Sequence, residues 1–231
     1  MPHWLVVLSW AGVAFGVASA LVVAVDLLVA NRQAMWIMNV VWPVTALWAG
    51  PLGAAAYFRY GRAGSEASRQ AAKGRGQTPP NRAQPFPVLV AKGTMHCGSG
   101  CTLGDMAAAL LVLAAPFTVF GHRLFGAWVY EFVAAFVLGV AFQYFTIMPM
   151  RHVSAAEGLK DALKADTLSL AAWQIGMYGW MAVTTFAIFD RDLGPSSVVF
   201  WFMMQIGMVA GFFTSYPINW WLLRKGIKEA M

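Results

Sequence analysis

The sequence predicts an all-α fold, a polytopic bundle of six membrane-spanning helices. Of its 231 residues, 59% are hydrophobic and only 11% are charged, whereas a soluble domain carries about 25% charged residues. The apolar residues cluster into blocks of roughly 20, the length that a helix needs to cross ~30 Å of hydrocarbon. Strands of a membrane barrel would alternate apolar and polar residues over ~10 positions, and these blocks are uniformly apolar.

The apolar blocks divide into a pair and a group of four. The predicted spans are Leu5–Val29, Met35–Phe58, Leu103–Phe120, Trp128–Met148, Leu168–Phe189 and Val198–Leu223. Residues 59–87 are rich in Gly, Ser, Arg, Gln and Pro, and they have too little apolar surface to order themselves. We therefore expect an N-terminal helix pair (1–58), a disordered basic linker (59–87) and a four-helix domain (88–231).

The distribution of basic residues predicts the orientation of the bundle. Of the 16 lysines and arginines, all but Arg32, Arg123 and Arg191 fall between spans two and three, between spans four and five, or after span six. The positive-inside rule places that basic side in the cytoplasm, so both termini are expected there. The net charge of +6 then reflects topology and contact with the anionic lipid bilayer, and it does not indicate nucleic-acid binding.

Two local patterns refine the helices. Ser154 and Glu157 have the spacing of a capping box, which predicts a short amphipathic helix in the inner headgroup layer before span five. Pro43 and Pro51 lie inside span two, where each is expected to kink the helix because proline removes a backbone hydrogen bond.

The segment Thr94–Asp105, with the sequence TMHCGSGCTLGD, concentrates the reactive side chains. It holds both cysteines of the chain, Cys97 and Cys101, with His96 beside the first. The predicted topology places the segment at the cytoplasmic boundary of span three, in a reducing compartment where a structural disulfide is not expected. Free thiols, metal ligands or a redox pair are the remaining interpretations.

Two local geometries are compatible with this segment. Thr102 and Asp105 have capping-box spacing, and a helix that begins there would leave the cysteines in a glycine-rich loop, where the helix dipole favours thiolate. If the helix begins near Met95 instead, Cys97, Cys101 and Asp105 form a stripe on one helix face. Gly100 and Gly104 would then form a small-xxx-small pair for close helix packing. The residues alone leave both geometries open.

Further soft ligands follow span four at the same predicted boundary. Met148, Met150 and His152 lie within five residues of one another. Thiolate and thioether ligands select soft ions, Cu(I) foremost. The predicted metal site therefore consists of Cys97, Cys101 and His96 with these three residues, although methionine and cysteine also serve as ordinary apolar filling in cores.

Three acidic residues in predicted spans suggest an ion path. Asp26 lies near the outer end of span one, Glu131 near the outer end of span four, and Asp105 in span three. A charge at the centre of a membrane helix costs about 2.5–3.5 kcal/mol on insertion scales, so such residues favour a functional interpretation. The structural alternative is that Asp26 and Glu131 reach the headgroups and that Asp105 caps its helix.

Several enzyme classes lack their sequence signatures in this chain. It has no phosphate-binding loop, zinc-protease helix or dinucleotide fingerprint, and no span carries the histidines that would ligate a b-type haem. Enzymatic chemistry therefore has little support. Three functions stay open: binding or transport of a soft metal ion, copper above all; thiol redox chemistry at Cys97 and Cys101; and a non-catalytic accessory role, as a homo-oligomer or within a membrane complex.

Blocks of the C-terminal two thirds carry a resemblance to a known family. They are Met95–Asp105, Phe142–Met150, Lys164–Ser169, Trp173–Tyr178 and Ser215–Trp221. In this order they resemble the bacterial membrane-protein family catalogued as domain of unknown function 4396, from about Val88 to the C-terminus. The resemblance implies a four-helix unit in the bacterial inner membrane. It implies no mechanism and no catalytic residues.

Overall fold

The computed structural model describes residues 1–151, 154–190 and 193–229, with the backbone alone for residues 147–151. The described part is helical. Its α-helices are α1 (His3–Val29), α2 (Met38–Ala56), α3 (Glu66–Gly74), α4 (Phe86–Ala114), α5 (Arg123–Arg151), α6 (Ala155–Val183) and α7 (Val198–Arg224). A π-helical turn, Tyr57–Gly61, extends α2, and another, Thr184–Ile188, extends α6.

The helices form one bundle in which α4 and α6 each contact the other three of the helices α4–α7. α4 packs on α5, α5 on α6 and α6 on α7, while α1 and α2 pack together against α7 and α4. Within the described residues, four helices are long and apolar enough to cross a membrane, namely α1, α4, α5 up to Thr146, and α7. The all-helical fold, with helices able to cross a membrane, is thus confirmed. The predicted ends of spans one and six lie within two residues of the ends of α1 and α7, whereas α5 begins five residues before the predicted Trp128 and ends three residues after Met148.

The chain reverses direction inside the predicted second span. Gly50 has φ 57° and ψ −138°, a left-handed conformation that favours glycine, and Pro51 follows it. Beyond this break the chain runs back along itself, since a Cβ placed on Gly53 would lie 2.9 Å from the Cα of Ala46. We call residues 38–61 the helical hairpin.

The two ends of the helical hairpin meet at one end of the bundle. The amide of Ala34 donates to the carbonyl of Gly64 (3.1 Å), and the amide of Glu66 donates to the carbonyl of Arg32 (2.8 Å). The predicted straight span Met35–Phe58 is therefore not formed. The mean hydropathy over a window of residues detects the length of an apolar segment, but it does not detect a turn at a single glycine.

The tip of the helical hairpin is held in the middle of the bundle. The Gln205 side-chain amide donates to the carbonyl of Leu47 (2.7 Å), and the Trp48 ring packs edge-on to Trp173 at 5.7 Å. A broken helix at membrane depth is tolerated where protein groups cover its backbone. Here the side chain of Gln205 from α7 covers the backbone at the break.

Asp26, a predicted ion-path residue, lies where the helical hairpin begins and ends. Its carboxylate is ion-paired with Arg62 and accepts hydrogen bonds from Tyr57 (2.6 Å) and Asn31 (3.0 Å). The hydrogen bond that the Arg62 guanidinium donates to Asp26 raises the pKa of Arg62 above its ordinary value. Asp26 therefore shares an end of the bundle with the basic segment that follows the hairpin, opposite to its predicted location.

Two other predicted boundaries are corrected. α4 begins at Phe86, well before the predicted Leu103, so Thr102 lies inside the helix and does not cap it. α6 begins at Ala155 and continues without a break, with the predicted capping box of Ser154 and Glu157 at its start. The amphipathic helix and span five are thus one helix. Within the range predicted as a linker, the structure contains the short helix α3, capped by Ser65.

A topology experiment tests the helical hairpin. In a variant lacking Cys97 and Cys101, single cysteines at exposed positions 30 and 77 are expected to react with an impermeant maleimide from the same side of the membrane. A cysteine at position 3 is expected to react from the opposite side, because only α1 separates it from position 30. Labelling of positions 30 and 77 from opposite sides would mean that the hairpin segment crosses straight through.

Candidate functional site

The cysteine-bearing segment forms one buried face in the middle of α4. Cys97, Cys101 and Asp105 follow one another at intervals of four residues, and each is at most 1% exposed. Of the two geometries compatible with the sequence, the structure selects the stripe. The segment consequently lies inside the bundle and not at its edge. It is polar because it faces other protein groups across the helix interface.

Glycines bring α4 close to α5 beside this stripe. A Cβ on Gly100 would lie 2.9 Å from the Cα of Gly139, and a Cβ on Gly104 would overlap the backbone of Ala135. This is the small-xxx-small packing that the second geometry predicts. The close approach sets the distance between the polar groups of α4 and those of the facing helices.

The two thiols lie side by side in this interior. Cys97 interacts with both Cys101 and Asp166, and both cysteines are free and buried. Side chains four residues apart on a helix have Cβ atoms about 5–6 Å apart, whereas a disulfide needs about 3.5–4.5 Å. A Cys97–Cys101 disulfide would therefore require α4 to distort, which disfavours cycling between dithiol and disulfide.

Two aspartates in the interior lack hydrogen-bond partners. Both side-chain oxygens of Asp105 and of Asp166 are buried without a partner in the described part of the chain. Gln174 faces Asp105, yet its amide group is also unpartnered. Gly139 makes room for Asp166, since a Cβ there would lie 2.6 Å from Oδ2. Buried carboxylates without partners are costly to folding, so their retention favours a functional role.

Glu131 continues this set of groups toward the far end of the bundle. It is 4% exposed, and it interacts electrostatically with Asp105. It also lines a cavity of about 300 Å³ between the start of α5 and the segment before α7, together with Arg123 and Pro195. Glu131 therefore lies between the buried polar groups and that cavity.

His96 connects the interior to a second cavity at the basic end. Its Nε2 lies 3.0 Å from the hydroxyl of Thr146, its ring is fully buried, and Nδ1 has no partner in the described part of the chain. Thr146 lines a cavity of about 460 Å³. Thr146 and Glu131 are separated by about 22 Å along α5 at 1.5 Å per residue. The buried groups therefore run between cavities at opposite ends of the bundle.

A hydrogen-bonded network closes the basic end beside this interior. Lys228 donates to the carbonyl of Gly93 (3.3 Å) and to Oδ1 of Asn219 (2.8 Å). The Asn219 amide donates in turn to Ser169 (2.7 Å) and Ser215 (2.9 Å). Through these hydrogen bonds, the buried ammonium of Lys228 anchors the C-terminal segment to α4 directly and to α6 by way of Asn219.

The part of the chain that carries these groups is matched by a family model, the domain of unknown function DUF4396, over residues 88–228. The chain belongs to the DUF4396 family. The match begins two residues into α4 and ends at Lys228, so the buried groups described above all lie within it, whereas α1 and the helical hairpin precede it. No curated protein and no solved structure matches the chain.

Sequence reasoning missed three members of the DUF4396 interior. Asp166 and Gln174 are not among the predicted site residues, and Lys228 enters the sequence analysis only as one of the basic residues that follow span six. The sequence does contain a pattern that indicates part of this interface. Along α6, an interval of four residues relates Asp166, Leu170, Gln174 and Tyr178. The same interval relates Cys97, Cys101 and Asp105 along α4. Two such stripes on neighbouring helices predict a shared polar interface.

The remaining predicted site residues of this DUF4396 protein are Met148, Met150, His152 and Asp26. The side chains of Met148 and Met150 and the whole of His152 lie outside the described residues. Asp26 is occupied by Arg62, Tyr57 and Asn31 at the basic end. Across the described ranges, no three His, Cys, Asp or Glu side chains converge as a metal site would require.

Proposed function

We propose that the protein moves a cation through the interior formed by α4, α5 and α6. The observation that carries the proposal is the series of buried polar groups that runs from the cavity at Thr146 to the cavity at Glu131. In order along the series, these groups are His96, Cys97 with Asp166, Cys101, and Asp105 with Gln174.

The chemistry of this interior supports a positively charged substrate. Cys97 and the charge of Lys228 act on Asp166, and Gln174 faces Asp105, but neither carboxylate has a hydrogen bond of standard geometry or an ion pair among the described residues. A cation passing between them would supply a stronger partner. The attraction between opposite charges is strong in a low-dielectric interior. A structural role for the same groups would be expected to satisfy their hydrogen bonds.

The two thiols indicate which cations the interior favours. Paired sulfur ligands favour thiophilic ions, and two carboxylates nearby also suit a borderline ion such as Zn²⁺, which accepts sulfur and oxygen ligands. We propose copper as the first ion to test and zinc as the second. The cytoplasmic copper site with Met148, Met150 and His152 remains a proposal of its own.

The helical hairpin leads us to propose a revised orientation in the bacterial inner membrane. Because its ends meet, Arg32 joins the basic side, so that by chain position 14 of the 16 lysines and arginines lie there. We count α6 as a fifth crossing beside α1, α4, α5 and α7, and the positive-inside rule then favours a cytoplasmic C-terminus and an N-terminus on the opposite face. Under this orientation the 460 Å³ cavity faces the cytoplasm.

The proposal is tested in proteoliposomes that contain an ion-sensitive dye. The wild-type protein is expected to admit Cu(I) or Zn²⁺, and the Cys97→Ser/Cys101→Ser variant to do so at least about tenfold more slowly, a loss of about 1.4 kcal/mol of transition-state stabilisation. Met106→Leu is the matched control, because it removes a sulfur from α4 at a position that is 37% exposed.

The result separates the remaining functions. Entry of neither ion with the wild-type protein, together with equal metal content in wild type and double variant, would refute the metal proposal. If Cys97→Ala and Cys101→Ala then preserve both folding and cellular phenotype, an accessory role is favoured.

A further inference from the structure

The cavity of about 460 Å³ at the basic end has the make-up of an anion site. Its lining residues come from six parts of the chain: residues 33–42, residues 64–69, residues 79–82, Lys92 of α4, residues 145–146 of α5, and Glu229. Its volume falls within the roughly 300–1,000 Å³ range of small-molecule sites. A site assembled from several segments has a defined shape, which a patch of surface charge lacks.

Three cationic side chains line this cavity. Arg69 comes from α3, Arg82 from the segment before α4, and Lys92 from α4 itself, while Glu229 is the one acidic side chain among the described lining residues. Arginine presents a planar fork of donors that suits phosphate oxygens, and lysine adds a compact charge. The excess of positive charge favours an anionic ligand.

Lys92 is the strongest single indication. It is only 3% exposed, yet no ion pair joins its ammonium to a carboxylate of the described residues. A buried ammonium is stabilised by a paired anion or by several acceptors. In Lys92 a nearly buried, unpaired charge faces a cavity that two arginines also line.

The cavity also has an apolar and aromatic wall. Trp36, Trp42 and Phe145 contribute to it, and the indole N–H of Trp42 is buried without an acceptor in the described part of the chain. A ligand that fits both walls carries an anionic group beside a carbon-rich one. Inorganic anions alone would leave the aromatic wall unused.

We propose that this cavity binds a phosphate-bearing organic ligand, with the phosphate held by Lys92, Arg69 and Arg82. Basic pockets between membrane helices are suited to the phosphate headgroups of anionic lipids, and the same chemistry would accept a soluble organophosphate. The site is independent of cation movement, although Thr146 lies both in its wall and beside His96.

Native mass spectrometry of the purified full chain tests the site. The probes are dioleoyl phosphatidylglycerol, dioleoyl phosphatidylcholine and glycerol 3-phosphate. Phosphatidylglycerol is expected to bind at least about tenfold more tightly than phosphatidylcholine, and Lys92→Gln and Arg82→Gln are each expected to remove most of that preference. Lys73→Gln is the control, because Lys73 shares α3 with Arg69 but does not line the cavity.

The three probes distinguish the source of the phosphate. Preference for phosphatidylglycerol without glycerol 3-phosphate binding identifies a lipid headgroup, whereas glycerol 3-phosphate binding that Lys92→Gln abolishes identifies a soluble ligand. If Lys92→Gln does not fold, Arg82→Gln decides, because Arg82 is exposed and outside the helices. Equal binding of both lipids with no glycerol 3-phosphate bound, or variants that bind like wild type, would overturn the proposal.

Discussion

Replacing Asp105 with asparagine is expected to stop cation movement while leaving the bundle at least as stable as the wild type. The substitution keeps the size of the side chain but removes a carboxylate that is 1% exposed and unpartnered. Removing an unpaired buried charge relieves a desolvation cost, so unfolding is not expected to become easier. Because the variant no longer offers a carboxylate to the passing cation, we expect flux to fall about 100-fold, which corresponds to about 2.7 kcal/mol of transition-state stabilisation.

Two measurements on the same preparation check this prediction. Flux is measured in dye-loaded proteoliposomes, and thermal unfolding is followed by tryptophan fluorescence. Asp161→Asn serves as the control, since Asp161 is partly exposed near the start of α6, away from the interior. Wild-type flux in Asp105→Asn would remove Asp105 from the path, and a large drop in stability would instead assign it a structural role.

Replacing Gly104 with alanine is expected to destabilise the bundle strongly. The added Cβ would overlap the backbone of Ala135 on α5, and a backbone cannot rotate aside as a side chain can. Overpacking of this kind typically costs about 1–3 kcal/mol. Gly100→Ala is expected to act in the same direction, because its Cβ would lie 2.9 Å from the Cα of Gly139.

Gly93 provides the matched control on the same helix. A Cβ there would lie 3.7 Å from its nearest neighbour, Leu223, which is ordinary van der Waals contact. Gly93→Ala is therefore expected to leave the unfolding temperature unchanged or to raise it. Equal unfolding temperatures for Gly93→Ala and Gly104→Ala would contradict the close approach of α4 and α5.

The two predictions are physically linked. Close packing at Gly100 and Gly104 holds α4 near α5, and this brings Asp105 within electrostatic reach of Glu131. A variant that separates the helices is expected to slow flux as well as to lower stability, whereas Asp105→Asn changes flux alone. The contrast between the two variants distinguishes chemistry in the interior from the packing that supports it.

Parts of the candidate site could be predicted from the sequence, and parts could not. Cys97, Cys101 and Asp105 stand out because they repeat at helical spacing among glycines in one short segment. Asp166 does not stand out in the sequence, because a single carboxylate near the predicted start of a membrane span is typical of a helix cap. Lys92 and Lys228 were interpreted as solvated charges, since nothing in a single sequence shows that other segments will cover them.

The sequence by itself determined the membrane class, the family, the ends of α1 and α7, and the capping box of α6. These features depend on apolar length and on contacts between residues close in the chain. The tertiary structure alone decided that the chain reverses at Gly50, that α4 begins at Phe86, and that the cysteine stripe faces Asp166. The physical reason is that a hydropathy scale measures the free energy of moving a side chain from water to lipid. The residues named here are instead buried in a protein interior that other polar groups line, and the scale does not describe that environment.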